Sequence, residues 1–177
     1  MLLRWFLQRQ IAAFERTWNY DASYLHDLVD ADPRAMLAFG KLQALGRYRG
    51  GVPITAHIAA GLVAVMAERE GVDPAGLRAI VKRDFVAMPA EAVLAVRFAE
   101  ATLRHAREAD ELREEVVQQF GRRGLVALSF AMLAARMYPT LKYALGHGRA
   151  CTRLAIGGET VPVLRDVATG RQKVSAA

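Results

Sequence analysis

Residues Leu125–Cys151 read LVALSFAMLAARMYPTLKYALGHGRAC. Between Leu125 and Ala135 only Ser129 is polar, and no polar face recurs at helical spacing, so this half predicts a helix with other helices on all sides. The second half restarts at Pro139, brings Leu141, Ala144 and Leu145 into helical register, and stops in the turn Gly146-His147-Gly148. Together they are expected to be the hub of an all-α, single-domain helical bundle.

Upstream of this hub, Asp110 reads as the cap of a helix with the stripe Leu112, Val116 and Phe120, terminated by Gly121. Pro89 opens a long amphipathic helix to about Arg107, with Leu94, Ala95, Phe98 and Ala101 facing in. A turn at 84–88 separates it from a short helix that Asp73 caps and Pro74 begins, with Leu77, Ile80 and Val81 inward. From Pro53 to Glu70, Ile54, Ile58, Leu62 and Val65 fall on one face and Ala56, Ala60, Ala64 and Ala67 on another. Small residues at that spacing let two helices approach closely, inside a bundle or across an oligomer contact. The basic run Arg47-Tyr48-Arg49-Gly50-Gly51 ahead of it could cradle an anion, but no strand precedes it and P-loop spacing is absent, so a flexible linker is the favoured reading.

Further out, Asp32 caps and Pro33 begins a helix to Leu45, carrying Met36, Leu37, Phe39 and Leu42. A short helix through Tyr24, Leu25 and Leu28 precedes it. The stripe Leu3, Phe6, Leu7, Ile11 and Phe14 makes 2–18 an amphipathic helix that caps the domain or reaches a neighbouring subunit. Beyond Cys151 the character changes, with Gly157, Gly158, Pro162 and Gly170 among scattered charges. The chain thus divides into an N-terminal amphipathic helix (1–18), a helical domain (19–151) and an irregular, partly mobile tail (152–177), whose one ordered candidate is an extended piece at 160–164.

Composition narrows the function. A chain of 177 residues, 53% of them hydrophobic, is long enough for one core without a metal or disulfide staple. Its single cysteine excludes both an intrachain disulfide and a Cys-x-x-Cys pair within one subunit, and suits a reducing, cytoplasmic setting. The formal charge of +6 is interleaved with acids, as in Arg97, Glu100, Arg104, Arg107 and Glu108, which fits a solvated helix face better than a nucleic-acid surface. Neither a signal peptide nor a membrane span is expected: Arg4, Gln8, Arg9 and Gln10 break the first helix, and the nearly uncharged 52–67 is short and holds His57. No His/Cys/Asp/Glu cluster has zinc spacing, and neither a Gly-x-Ser-x-Gly nor a dinucleotide fingerprint occurs, so no metal or nucleotide cofactor is expected.

The runs AMPAEAVLAVRFAEATLRH and ELREEVVQQFGRRGLVALSFAMLAARMYPTLKYALGHGRAC resemble the carboxymuconolactone decarboxylase-like and alkylhydroperoxidase D-like superfamily in helix order from about Pro89 to Cys151, and more loosely from Tyr20 to Gly46. The resemblance implies an all-α subunit assembling into trimers, hexamers or dimers. In the peroxidase branch it also implies a Cys-x-x-Cys-x-x-x-His motif with a glutamate just upstream, where one thiolate attacks peroxide and a second cysteine resolves the sulfenic acid. Here MAEREGVDP joins the flanking pieces directly, as though a turn or more of helix carrying both cysteines were missing; Glu68 matches the upstream glutamate.

Five residues follow as site candidates. Cys151 lies four residues after His147, so a helical continuation would bring thiol and imidazole together, against the plainer reading of a small helix-end residue. His57, in an apolar helix, reads more readily as a core histidine bonded to a backbone carbonyl than as a base. Glu68 is the remaining acid or base, while His26 and His105 read as surface. Arg136 closes an apolar run; it either binds the carboxylate of a small acid or stabilises a helix end and pairs with an acid such as Glu100. Three functions are expected: an oligomeric family member with dithiol peroxidase activity lost or greatly reduced; a cysteine-independent lyase (decarboxylase) acting on a small carboxylated lactone through Glu68, His57 and Arg136; or a non-enzymatic scaffold.

Overall fold

Two Asp-Pro steps set helix starts as their sequence chemistry requires. Asp32 accepts the Arg34 N–H at 2.9 Å and Asp73 the Gly76 N–H at 3.0 Å, each with proline in the first turn. Such a cap is worth about 1 kcal/mol. The computed structural model describes residues 1–18, 20–61, 72–147, 153–156 and 159–162. Among them the helices are α1 (Leu2–Trp18), α2 (Ser23–Ala31), α3 (Pro33–Gln43), α4 (Ile54–Gly61), α5 (Pro74–Lys82), α6 (Ala90–Arg104) and α7 (Ala109–Ala144), and α3 runs into a short 3-10 turn at Ala44–Arg47. The domain is all-α, as the sequence predicts.

The main core is built where α4, α6 and α7 meet. Ala56, Ala59 and Ala60 of α4 lie against Ala92, Ala95 and Ala99 of α6 and against Ala127 and Ala131 of α7, all buried. Small side chains allow that close approach, and the full burial of Leu128 and Ile80 adds roughly 2 kcal/mol each. A second core joins α1, α2 and α3 through Leu7, Ile11, Tyr24, Leu25, Val29 and Phe39 to Met137, Tyr138 and Leu141 at the far end of α7. A small satellite of Ile58, Val72, Leu77 and Val81 ties α5 to α4.

Several sequence expectations are corrected. The hub is not enclosed on all sides: Gly124, Ala127, Leu128, Ala131 and Met132 are buried, but Val126 is 43% and Leu133 56% exposed, because the chain's other helices cover only part of the circumference. Nor does a new helix start at Pro139. α7 passes through it, since a proline forfeits one backbone bond while the turns on either side are held by two different cores. Gly121 does interrupt the helix, at φ 71° and ψ 176°, so α7 is two helices set across a kink. Asp110 is not the cap; it lies in the first turn after Glu108 and pairs with Arg113 at 2.8 Å. α6 ends at Arg104, with His105 in the left-handed region at φ 55°.

The linker at 47–51 is not loose. Gly50, at φ 54°, lies so close to α7 that a Cβ there would stand 2.3 Å from the Arg123 carbonyl oxygen, so only glycine fits. The tail is more regular than expected: β1 (Arg153–Ile156) and β2 (Glu159–Pro162) form an antiparallel hairpin with Arg153 opposite Pro162 and Ile156 opposite Glu159. The last dozen residues, the second half of the helix expected from Pro53 to Glu70, and Gly148 lie outside the described residues. By length and composition alone α7 would pass for a membrane span, yet it is built into both cores.

Candidate functional site

The main core leaves space where α4, α6 and α7 separate. A cavity of about 610 Å³ opens there, with one apolar wall from Ala59, Ala60, Val96, Ala99, Leu103 and Met132. The other wall is a face of α7, where Arg136, Thr140 and Tyr143 follow at i, i+4 and i+7 and so point the same way. Arg83 and Glu100 complete the lining.

The polar groups of this cavity differ in how far they are satisfied. Arg83, at the C-cap of α5 in the left-handed conformation (φ 59°), donates from Nη1 to the Ile80 carbonyl at 2.7 Å and from Nε to Glu100 Oε1 at 2.5 Å. Glu100 Oε2 lies 3.5 Å from Arg104 Nη2. The carboxylate that was a prospective partner for Arg136 is therefore bound by two other guanidinium groups. Among the described residues Arg136, Thr140 and Tyr143 make no hydrogen bond or ion pair through their side chains. All three are exposed at the cavity.

The other candidates are placed elsewhere. His57, in the first turns of α4, is 7% exposed and does not line the cavity. Burial pushes its imidazole below the ordinary histidine value, and the positive charge of Arg49 pushes the same way, against a smaller upward effect of its bond to the Tyr48 backbone. Its buried Nε2 has no hydrogen-bond partner among the described residues. Glu68 and Cys151 lie outside the described residues, so a Glu68–His57–Arg136 site and a His147–Cys151 pair are described here only through His57, Arg136 and His147.

His147 belongs to a second polar group that sequence spacing could not reveal. Its Nδ1 is 3.0 Å from Ser23 Oγ and its Nε2 2.5 Å from Asp27 Oδ2, on successive turns of α2. The Ser23 hydroxyl and backbone N–H both bond Asp21, which, with some help from the Lys142 and His147 charges, holds that carboxyl below its usual range. Lys142, only 2% exposed, donates to the Asp21 carbonyl at 3.1 Å, and its ammonium lies 4.2 Å from the Tyr20 ring centre and 4.8 Å from that of Tyr24. The order serine, histidine, aspartate resembles a nucleophilic triad in residue type. Here, however, the Ser23 hydroxyl also faces the Asp21 carboxylate, and these residues do not line the cavity.

His26, expected at the surface, is half-buried and bonded to Gln8 and to Glu15 Oε2 at 3.2 Å; His105 is exposed as expected. Among the described residues no cluster of His, Cys, Asp and Glu could hold a metal ion. Of the cavity residues, sequence reasoning singled out Arg136 alone as a ligand-binding group. Thr140 and Tyr143 were legible as a polar row continuing from it at helical spacing. No protein-family model matches the chain, and searches of curated proteins and of solved structures find no match either.

Proposed function

We propose that the chain is an alkylhydroperoxidase D-like, carboxymuconolactone decarboxylase-like protein whose dithiol peroxidase chemistry is lost or greatly reduced, and that the cavity between α4, α6 and α7 binds a small acid. The observation that carries this reading is Arg136, a guanidinium without a protein partner among the described residues, on the rim of a cavity of about 610 Å³ with an apolar wall. Pockets of this size and make-up suit a small organic ligand, and a free guanidinium suits its carboxylate. The loss of peroxidase chemistry rests on arithmetic: attack and resolution need two thiols, and one cysteine supplies one. A cytoplasmic homo-oligomer belongs to the same reading, supported by the exposed apolar residues Val126 and Leu133 on the hub helix.

Hydroperoxide consumption by the purified protein with a thiol reductant tests the first half. The expected rate is that of the buffer, for wild type and Cys151→Ser alike. Turnover that survives the substitution means another redox centre, and rapid turnover abolished by it means an efficient one-cysteine peroxidase; either outcome defeats the reading.

A cysteine-independent lyase is the second reading, favoured by Arg136 as the group that would hold a lactone's carboxylate. His57 does not line the cavity and Glu100 is engaged by Arg83 and Arg104; Glu68, the remaining acid or base that the resemblance offers, lies outside the described residues. Release of carbon dioxide from a carboxylated lactone, lost in both Arg136→Gln and Glu68→Gln, is the expected result. A non-enzymatic scaffold is what remains if neither binding nor turnover is found.

A further inference from the structure

The two walls of the cavity are chemically unlike, which constrains what fits between them. The α4 and α6 side is apolar apart from Glu100, which Arg83 and Arg104 hold, and suits a ring or short hydrocarbon. The α7 side offers Arg136, which presents a fork of N–H donors to a carboxylate, and then two hydroxyls, Thr140 and Tyr143, each able to donate and to accept. One more acceptor belongs to that wall. Pro139 has no N–H, so the Ala135 carbonyl loses the donor that a helix supplies four residues on, and both residues line the cavity. The remaining charges are spent on each other, Glu100 with Arg83 and Arg104, leaving one partnerless cation among the described lining residues.

From this asymmetry we infer that the ligand is a small hydroxy monocarboxylate: one carboxylate on Arg136, an apolar body against Ala60, Val96 and Met132, and a hydroxyl bonded by the Thr140–Tyr143 row. The inference rests on the reading of the cavity as an acid site and narrows it. A wall that hydrogen-bonds a hydroxyl discriminates against the analogue lacking it, because protein groups are otherwise left unpaired on binding. The hydroxyl is therefore the group by which the site selects among acids.

Calorimetric titration of the full chain with phenylpropionate, phenyllactate and hydroxyphenylpropionate tests this, since the two hydroxy acids place the hydroxyl near to and far from the carboxylate. At least one hydroxy acid should bind about tenfold more tightly than phenylpropionate. The double variant Thr140→Val/Tyr143→Phe should erase that preference and leave phenylpropionate binding within about twofold, whereas Arg136→Gln should weaken every acid by about tenfold or more, with Arg136→Lys recovering part of the loss. All three positions are exposed, so the variants should fold, which circular dichroism checks. If phenylpropionate binds as tightly as both hydroxy acids, or the preference survives the double variant, the hydroxy-acid assignment is overturned while the acid site stands. If no acid binds the folded wild type, both fall.

Discussion

Two polar neighbourhoods share the end of α7 and its following turn, and they are finished differently. Around Lys142 and His147 the described polar groups meet one another: ammonium on the Asp21 carbonyl, imidazole between Ser23 and Asp27, the Ser23 hydroxyl on the Asp21 carboxylate. Around Arg136, Thr140 and Tyr143 the described residues offer the side chains no partner. The helix is the same and the residues are interleaved along it, so the difference comes from what faces each side. One side meets α2, which brings acids and carbonyls; the other meets apolar residues of α4 and α6. Mutual satisfaction is the mark of a structural tie, and its absence beside a cavity is the mark of a place for something else.

Lys142 gives the most severe test of that contrast. Lys142→Ala removes a nearly fully buried side chain, its bond to Asp21 and its contacts with two tyrosine rings, and should cost about 2–4 kcal/mol in urea unfolding. A change within about 0.5 kcal/mol would mean that this neighbourhood is no tie at all.

His57 should show its burial as a pH dependence. Its folded-state pKa is depressed, so below the ordinary value near 6.5 the unfolded chain binds the proton more readily and stability falls as pH falls. That contribution is intact above about pH 7 and declines, at no more than about 1.4 kcal/mol per pH unit, until the folded histidine itself protonates. His57→Gln should remove this part of the slope between pH 5 and 7. An unchanged slope would show that the ring is not held neutral by its surroundings.

His147→Ala should cost about 1 kcal/mol and leave acid binding unaltered, because its partners belong to α2 and not to the cavity. A loss of binding would join the two neighbourhoods that the structure keeps apart. Arg136→Gln completes the series from the other side: unfolding should move by less than about 0.5 kcal/mol even as acid binding is lost. A large loss of stability there would mark Arg136 as a structural residue.

What could be read in the sequence follows the range of the interactions. Caps at Asp32 and Asp73 and the helix stop at Gly121 are set within a few residues of one another and match the structure, whereas the apolar stripes match only in part, with Leu3, Phe6, Leu37 and Leu42 exposed. Pro139 was misread because its local cost is outweighed by packing at positions distant in sequence. The exposure of Val126 and Leu133 has the same origin, since how many neighbours surround a helix is not written in its own residues. At the cavity, Arg136 stood out as a charge at the end of an apolar run. The engagement of Glu100 by Arg83 depends on how α5 meets α6, and the meeting of His147 with Ser23 spans 124 residues, so neither leaves a periodic signal.

The second core has a consequence for the order in which the chain can be made and folded. α1, α2 and α3 precede α7 in the chain, yet their cluster is completed by Met137, Tyr138 and Leu141, and its polar edge by Lys142 and His147. These three helices therefore emerge with Leu25, Val29 and Phe39 lacking part of their cover until the end of α7 has been synthesised. The native packing of this segment thus depends on contacts made about a hundred residues later in the chain, not on its own helices alone.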